Sequence, residues 1–165
     1  VIQTVAFRSY VNSAKNTAYQ DAVNALRDEV AASMGIELIT DRRALFTMPT
    51  EQREAYFARI DPVTEAIEER MSEVTAEPVG VGDFVDHIDY LVETIGIDHV
   101  GISSDFDGGG GLEGWNDASE TFNVTHELVR RGYTEAQISQ LWSGNLLRVL
   151  DDVQRIAAEI QSENG

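Results

Sequence analysis

Ile97-Asp-His-Val-Gly-Ile-Ser-Ser-Asp-Phe-Asp-Gly108 is the stretch on which the reading of this chain turns. Residues 97–104 are apolar and compact enough for a buried strand. A glycine run, Gly108 to Gly111, follows, and it suits a loop whose backbone turns sharply or closes on a ligand. Asp105 therefore stands at the carboxyl end of a strand, where ligands meet α/β folds. Asp107 lies two residues on, and continued alternation along an extended segment would point both carboxylates to one side. A carboxylate so placed can act as general base toward a metal-activated water. The competing reading is a loop whose aspartates cap backbone amides. A calcium loop fails on spacing, because glycine and asparagine stand at positions 109 and 116, where an EF-hand starting at Asp105 needs an oxygen ligand and a glutamate.

Outward from this strand, Val1-Ile-Gln-Thr-Val-Ala-Phe7 reads as a second one. Between them the pattern is helical. Ala22, Val23, Leu26, Val30 and Met34 recur at helical steps from Thr17 to Met34, and Gly35 suits a C-cap. Asp41 to Met48 is ambiguous. Thr50 is the expected N-cap of a helix after Pro49, and a further helix is expected from Asp61-Pro62 to about Val74. Asp83 to Ile95 places Phe84, Ile88, Leu91, Val92 and Ile95 on one face, and Gly96 closes it. Helices are expected at Ser119–Arg131, Thr134–Trp142 and Asn145–Ser162, with Thr134-Glu-Ala-Gln137 a capping box. Two strands joined by so long a helical stretch must pair in parallel through a crossover. A parallel sheet needs cover on both faces and more than two strands. The 165 residues thus read as part of a larger α/β sheet or barrel.

Composition narrows the functional classes. At 42% hydrophobic and 25% charged residues the chain reads as a soluble globular protein, with no apolar run long enough for a membrane span. The net charge of −17 opposes binding to nucleic acid or anionic lipid, and its plain meaning is solubility. Cysteine is absent, which excludes disulfides and thiolate metal sites. The three histidines, His87, His99 and His126, fall in no metal-binding spacing, so no complete metal site can be built from this sequence.

Several segments in order resemble the membrane (renal) dipeptidase family: Asp83-Phe-Val-Asp-His-Ile-Asp-Tyr-Leu91, Ile97 to Gly108, Arg131-Gly-Tyr-Thr-Glu135 and Gly144-Asn-Leu-Leu-Arg-Val149. The resemblance covers most of residues 80–150 and, more faintly, Val1 to Phe7. It implies a zinc metallopeptidase of the amidohydrolase type on a TIM-like (β/α)8 barrel. This chain would be its C-terminal part: the last two strands, a helical insertion at about 14–79, and the C-terminal helices, all within one domain. Asp105 matches the family's acid–base aspartate, beside the water and the substrate amino group. Phe7 and Tyr10 would line the dipeptide pocket, and Asp107 would shape the loop.

The two zinc ions of the family are held by a His-x-Asp, a bridging glutamate and two histidines, all expected upstream of Val1, as is the substrate-binding arginine. The partners implied are a dipeptide substrate and the N-terminal part of the barrel. A D-residue would be accepted at the C-terminal position, and the portion alone would be inactive. Homodimerisation and the choice between bacterial cytoplasm and periplasm stay open. Two alternatives remain: a non-catalytic α/β binding or assembly module descended from the family, or another metal-dependent amidohydrolase.

Overall fold

The computed structural model describes residues 1–163. It is mostly helical with one small sheet, and it divides into two compact units: residues 1–14 with the chain from 78 onward, and residues 15–77.

The first unit is built on two parallel strands, β1 (Ile2–Val5) and β2 (Val100–Ser103), paired from Ile2↔Val100 to Val5↔Ser103. Alternation sorts their side chains onto two faces. On one face Thr4, Ala6, Val100 and Ile102 are buried. There the sheet packs into a core with Phe84, Val85 and Ile88 of helix α5 (Val81–Ile95) and Val124 and Leu128 of helix α6 (Thr121–Arg130). On the other face lie Gln3, Val5, Gly101 and Ser103. The Gln3 amide lies over Gly101 so closely that a Cβ there would stand 2.5 Å from Nε2. Gln3, Val5 and Ser103 stay half-exposed. Residues 97–99 form a 3-10 turn, so the strand begins three residues later than the apolar run suggested.

Helix α5 starts where Asp83 accepts from the Gly80 amide (2.9 Å) and ends at Gly96, whose φ of 85° favours glycine. The chain after Arg131 is more continuous than the sequence suggested. Helix α7 (Glu135–Ser139) opens on the capping box, with Thr134 and Gln137 each accepting from the other's amide. It then passes through a π-turn at Gln140–Gly144 directly into α8 (Asn145–Glu163). The extra residue of the π-turn sets Asn145 facing inward. Asn145 is buried and donates through Nδ2 to the carbonyls of Ile97 (2.6 Å) and Val100 (2.9 Å). Asn145 thereby ties the start of α8 to the root of β2, where the Ile97 carbonyl also accepts from the Val100 amide.

In that first unit, short α1 (Arg8–Val11) follows β1. In the second, α2 (Ser13–Ser33) and α4 (Thr50–Arg70) bury Leu26, Val30, Ala31 and Val63. After α2, Gly35 at φ 67° lets Ile36 donate back to Ala31 (2.9 Å), closing the helix. The ambiguous stretch is α3 (Arg42–Thr47), capped by the Asp41 carboxylate on the Arg43 amide (2.9 Å). Two expectations fail here. Pro49, not Thr50, occupies the cap position, and α4 runs unbroken through Pro62. Val63 is buried just past the proline, with Ala66 and Ile67 packed beside it. That packing outweighs the one hydrogen bond Pro62 cannot make. No helix among the described residues is long and apolar enough to cross a membrane.

Candidate active site

Asp105 follows β2 by two residues and is the one non-glycine described with a positive φ, 56°, in the left-handed region. Aspartate tolerates that conformation better than most side chains. The turn that follows explains the geometry. The Asp105 carbonyl accepts from the amides of Gly108 (3.0 Å) and Gly110 (2.7 Å), which folds Phe106–Gly108 into a 3-10 turn. The extended alternation expected from Asp105 to Asp107 is therefore absent, and no strand pleat aligns the two carboxylates. The Asp105 carboxylate packs over Gly108 instead, and both aspartates are exposed.

The glycines are used for close approach. A Cβ on Gly110 would lie 1.9 Å from the Ser104 carbonyl oxygen. Phe106 is pinned edge-on against Trp115, with ring centres 5.5 Å apart, and Trp115 is itself buried against Phe84 and Trp142. Gly111 donates to the Ala6 carbonyl (2.9 Å), tying this loop to the end of β1.

That tie assembles the residues singled out from sequence. Phe7 pairs with Gly111 as an isolated parallel bridge, and its ring edge lies 3.5 Å from where a Cβ on Gly109 would stand. Tyr10 stacks obliquely on Phe7, centroids 5.3 Å apart, and is 74% exposed. The glycine loop thus carries Asp105 over Gly108 and the Phe7–Tyr10 pair beside Gly109. Sequence reasoning missed Arg8, between the two aromatics, which donates through Nη2 to Asn116 Oδ1 (3.1 Å). Its signal was a rare cation just past a strand end in a chain with 12 basic residues against 29 acidic.

The histidines lie elsewhere. His99 precedes β2 while Asp105 follows it, so they mark opposite ends of the strand. His87 is half-buried on α5, and His126 is exposed on α6. Among the described residues no group of three or more His, Cys, Asp or Glu could hold a metal ion.

Residues of α5 and the end of α6 build a clamp. Arg131 donates to Asp86 (2.6 Å), Asp89 (2.6 Å), Glu127 (2.8 Å) and the Gly82 carbonyl (2.8 Å), locking α5 to the end of α6. Tyr133 donates to Asp89, and burial together with that carboxylate pushes its phenol above the ordinary value. Hydrogen bonds from Arg130 and Arg131 hold the Glu127 carboxyl down at about 2. A shallow cavity beside this clamp is lined by Asp89, Glu93, Arg131 and Tyr133 and includes none of Phe7, Tyr10 or Asp105.

The sequence profile of membrane dipeptidase (peptidase family M19) matches residues 1–164. Dipeptidase ataJ of Aspergillus terreus is 46% identical over 80 residues, 48% of this chain and 20% of that protein. Dipeptidase aclJ of Aspergillus oryzae is 38% identical over 86 residues, 52% of this chain and 20% of its own length. The crystal structure of the probable dipeptidase PvdM from Pseudomonas aeruginosa is similar with a TM-score of 0.56 at 37% identity, covering 94% of this chain and 37% of that one. The matched part thus spans about a fifth of these two curated relatives.

Proposed function

Because the chain belongs to the membrane dipeptidase family, we propose that it supplies the last two strands, the acid–base aspartate and the C-terminal helices of a zinc-dependent dipeptidase. The observation that carries this reading is the setting of Asp105. It is an exposed carboxylate at the carboxyl end of β2, held in a left-handed turn on a loop that also meets the Phe7–Tyr10 pair. A general base must be exposed to its proton and fixed in direction, and this turn supports both requirements.

The sheet supports a barrel around it. A two-stranded parallel sheet with one half-exposed face leaves Gln3, Val5 and Ser103 without the cover that parallel strands require. Helix α8 also exposes Leu146, Leu150, Val153 and Ile160 at helical steps. Further strands and helices of a (β/α)8 barrel would cover both surfaces, with residues 15–77 as a helical insertion. The described residues do not by themselves fit a zinc pair, since they offer no ligand cluster. The ligands are assigned to the part of the enzyme outside this chain, which by itself would be inactive.

Within that enzyme Asp105 would take a proton from the attacking water and return it to the leaving amine, so that the peptide bond breaks without a free amide anion. Phe7 and Tyr10 would exclude water from one side of the dipeptide. Elemental analysis and dipeptide hydrolysis on the full-length gene product test the reading. Bound zinc with turnover is the expected result. Neither metal nor turnover would favour a binding or assembly module instead, and turnover of cyclic amides or lactones alone would favour another amidohydrolase.

A further inference from the structure

The unit formed by residues 15–77 carries a recess that the proposed peptide hydrolysis does not use. It is an open cavity of about 490 Å³ lined by Leu45, Phe46, Arg53 and Phe57. Leu45 and Phe46 come from α3, and Arg53 and Phe57 stand one turn apart on α4. Phe46 is 80% exposed and Phe57 46% exposed. Apolar walls left this open to water are unfavourable, and an apolar occupant would remove that cost.

Arg53 gives the recess a charge preference. It is half-buried, and its guanidinium makes no ion pair or hydrogen bond with a described residue. In the same unit Arg27 is paired with Asp28, Arg59 donates to the Glu37 carbonyl, and Arg70 is paired with Glu29 and Glu73. Helix geometry accounts for the difference. Glu51 and Glu54 stand two residues before Arg53 and one after it, off its face of the helix. Pro49, Thr50, Tyr56 and Phe57, three or four residues away and so on that face, carry no charge. A weakly hydrated planar cation against apolar walls is suited to a carboxylate.

The size of the recess sets the class of its occupant. Its volume falls within the roughly 300–1,000 Å³ of small-molecule pockets. Its four lining residues are far fewer than the roughly 20–30 a side of a stable protein interface, which argues against a second copy or a folded partner. We propose that the recess binds a small fatty-acid-like amphiphile, one apolar chain bearing one carboxylate. The chain packs on Leu45, Phe46 and Phe57, and the carboxylate meets the Arg53 guanidinium. All four residues belong to the unit that lacks Asp105, so this site stands independently of the dipeptidase reading.

The test is calorimetric titration of the full-length protein with octanoate, with octanol as the uncharged control. Octanoate should bind at one site and more tightly than octanol. Arg53→Gln should weaken octanoate about tenfold or more, as for loss of a charge-assisted hydrogen bond, and leave octanol nearly unmoved. Arg53→Lys, which keeps the charge without the fork, should restore part of the loss. Phe46→Ser, at a position exposed enough to spare the fold, should weaken both ligands. No octanoate binding, octanol binding as tightly as octanoate, or an octanoate affinity that Arg53→Gln leaves unmoved would overturn the proposal. So would a dimer by light scattering that Phe46→Ser converts to monomer, since the recess would then be an interface between copies.

Discussion

The carboxylate of Asp105 lies directly over Gly108, where a Cβ would stand 2.4 Å from Oδ1 and 2.7 Å from Oδ2. Position 108 is therefore a seat for the aspartate, and filling it displaces a side-chain end rather than backbone. Gly108→Ala in the full-length enzyme should cut turnover by about tenfold or more, because small misplacements of a reacting group are expensive. Its melting temperature should change little. Gly110→Ala is the contrast, since its Cβ meets the Ser104 carbonyl oxygen at 1.9 Å. Relieving that clash means moving backbone, at about 1–3 kcal/mol of stability, which chemical denaturation will read.

Asn145 carries a structural load that can be measured separately from any activity. Its side-chain amide donates to the carbonyls of both Ile97 and Val100. Asn145→Ala should leave both without this donor and cost roughly 2–4 kcal/mol in urea unfolding. Asn145→Asp should be at least as damaging, because a carboxylate cannot donate to them. A loss under half a kcal/mol (about the scatter for surface substitutions) would mean that water takes over the role.

Helix α5 could be read because Phe84 and Ile88 sit one turn apart and Gly96 closes the helix. The α7 capping box could be read because its four residues act locally. Pro62 misled because its cost is local while its compensation, burial of Val63, is tertiary. The region of Asp105 misled for a related reason. Two carboxylates two residues apart look like neighbours on a strand, but hydrogen bonds from Gly108 and Gly110 curl the chain at Asp105. Arg8 stayed invisible because its partner, Asn116, is far along the chain and only the fold brings the two together. Likewise the segments at Asp83–Leu91 and Arg131–Glu135 carry a family resemblance, and the structure gives Asp86, Asp89, Arg131 and Tyr133 the work of a clamp.

That clamp predicts an acid limb in the stability profile. Glu127 is held at about 2 in the folded protein against an ordinary 4.5, chiefly by Arg130 and then Arg131. A carboxyl lowered on folding contributes fully above its unfolded value and loses that contribution as pH falls toward its folded value. The melting temperature should therefore drop between about pH 4.5 and pH 2. Glu127→Gln should be less stable than wild type at pH 6, and its decline through this window should be shallower. Parallel profiles for the two proteins would show that the clamp does not set acid stability.

Asp105→Asn in the full-length enzyme is the most direct test of the central claim. Asparagine keeps the size of the side chain and accepts the left-handed conformation that position 105 requires, so the turn should survive while the proton acceptor is lost. Asp107→Asn, in the same 3-10 turn, is the matched control and should affect loop order more than chemistry. For Asp105→Asn, the dipeptidase account predicts a fall in kcat of about 100-fold or more, with metal content and melting temperature nearly unchanged. Turnover within a few-fold of wild type would contradict it.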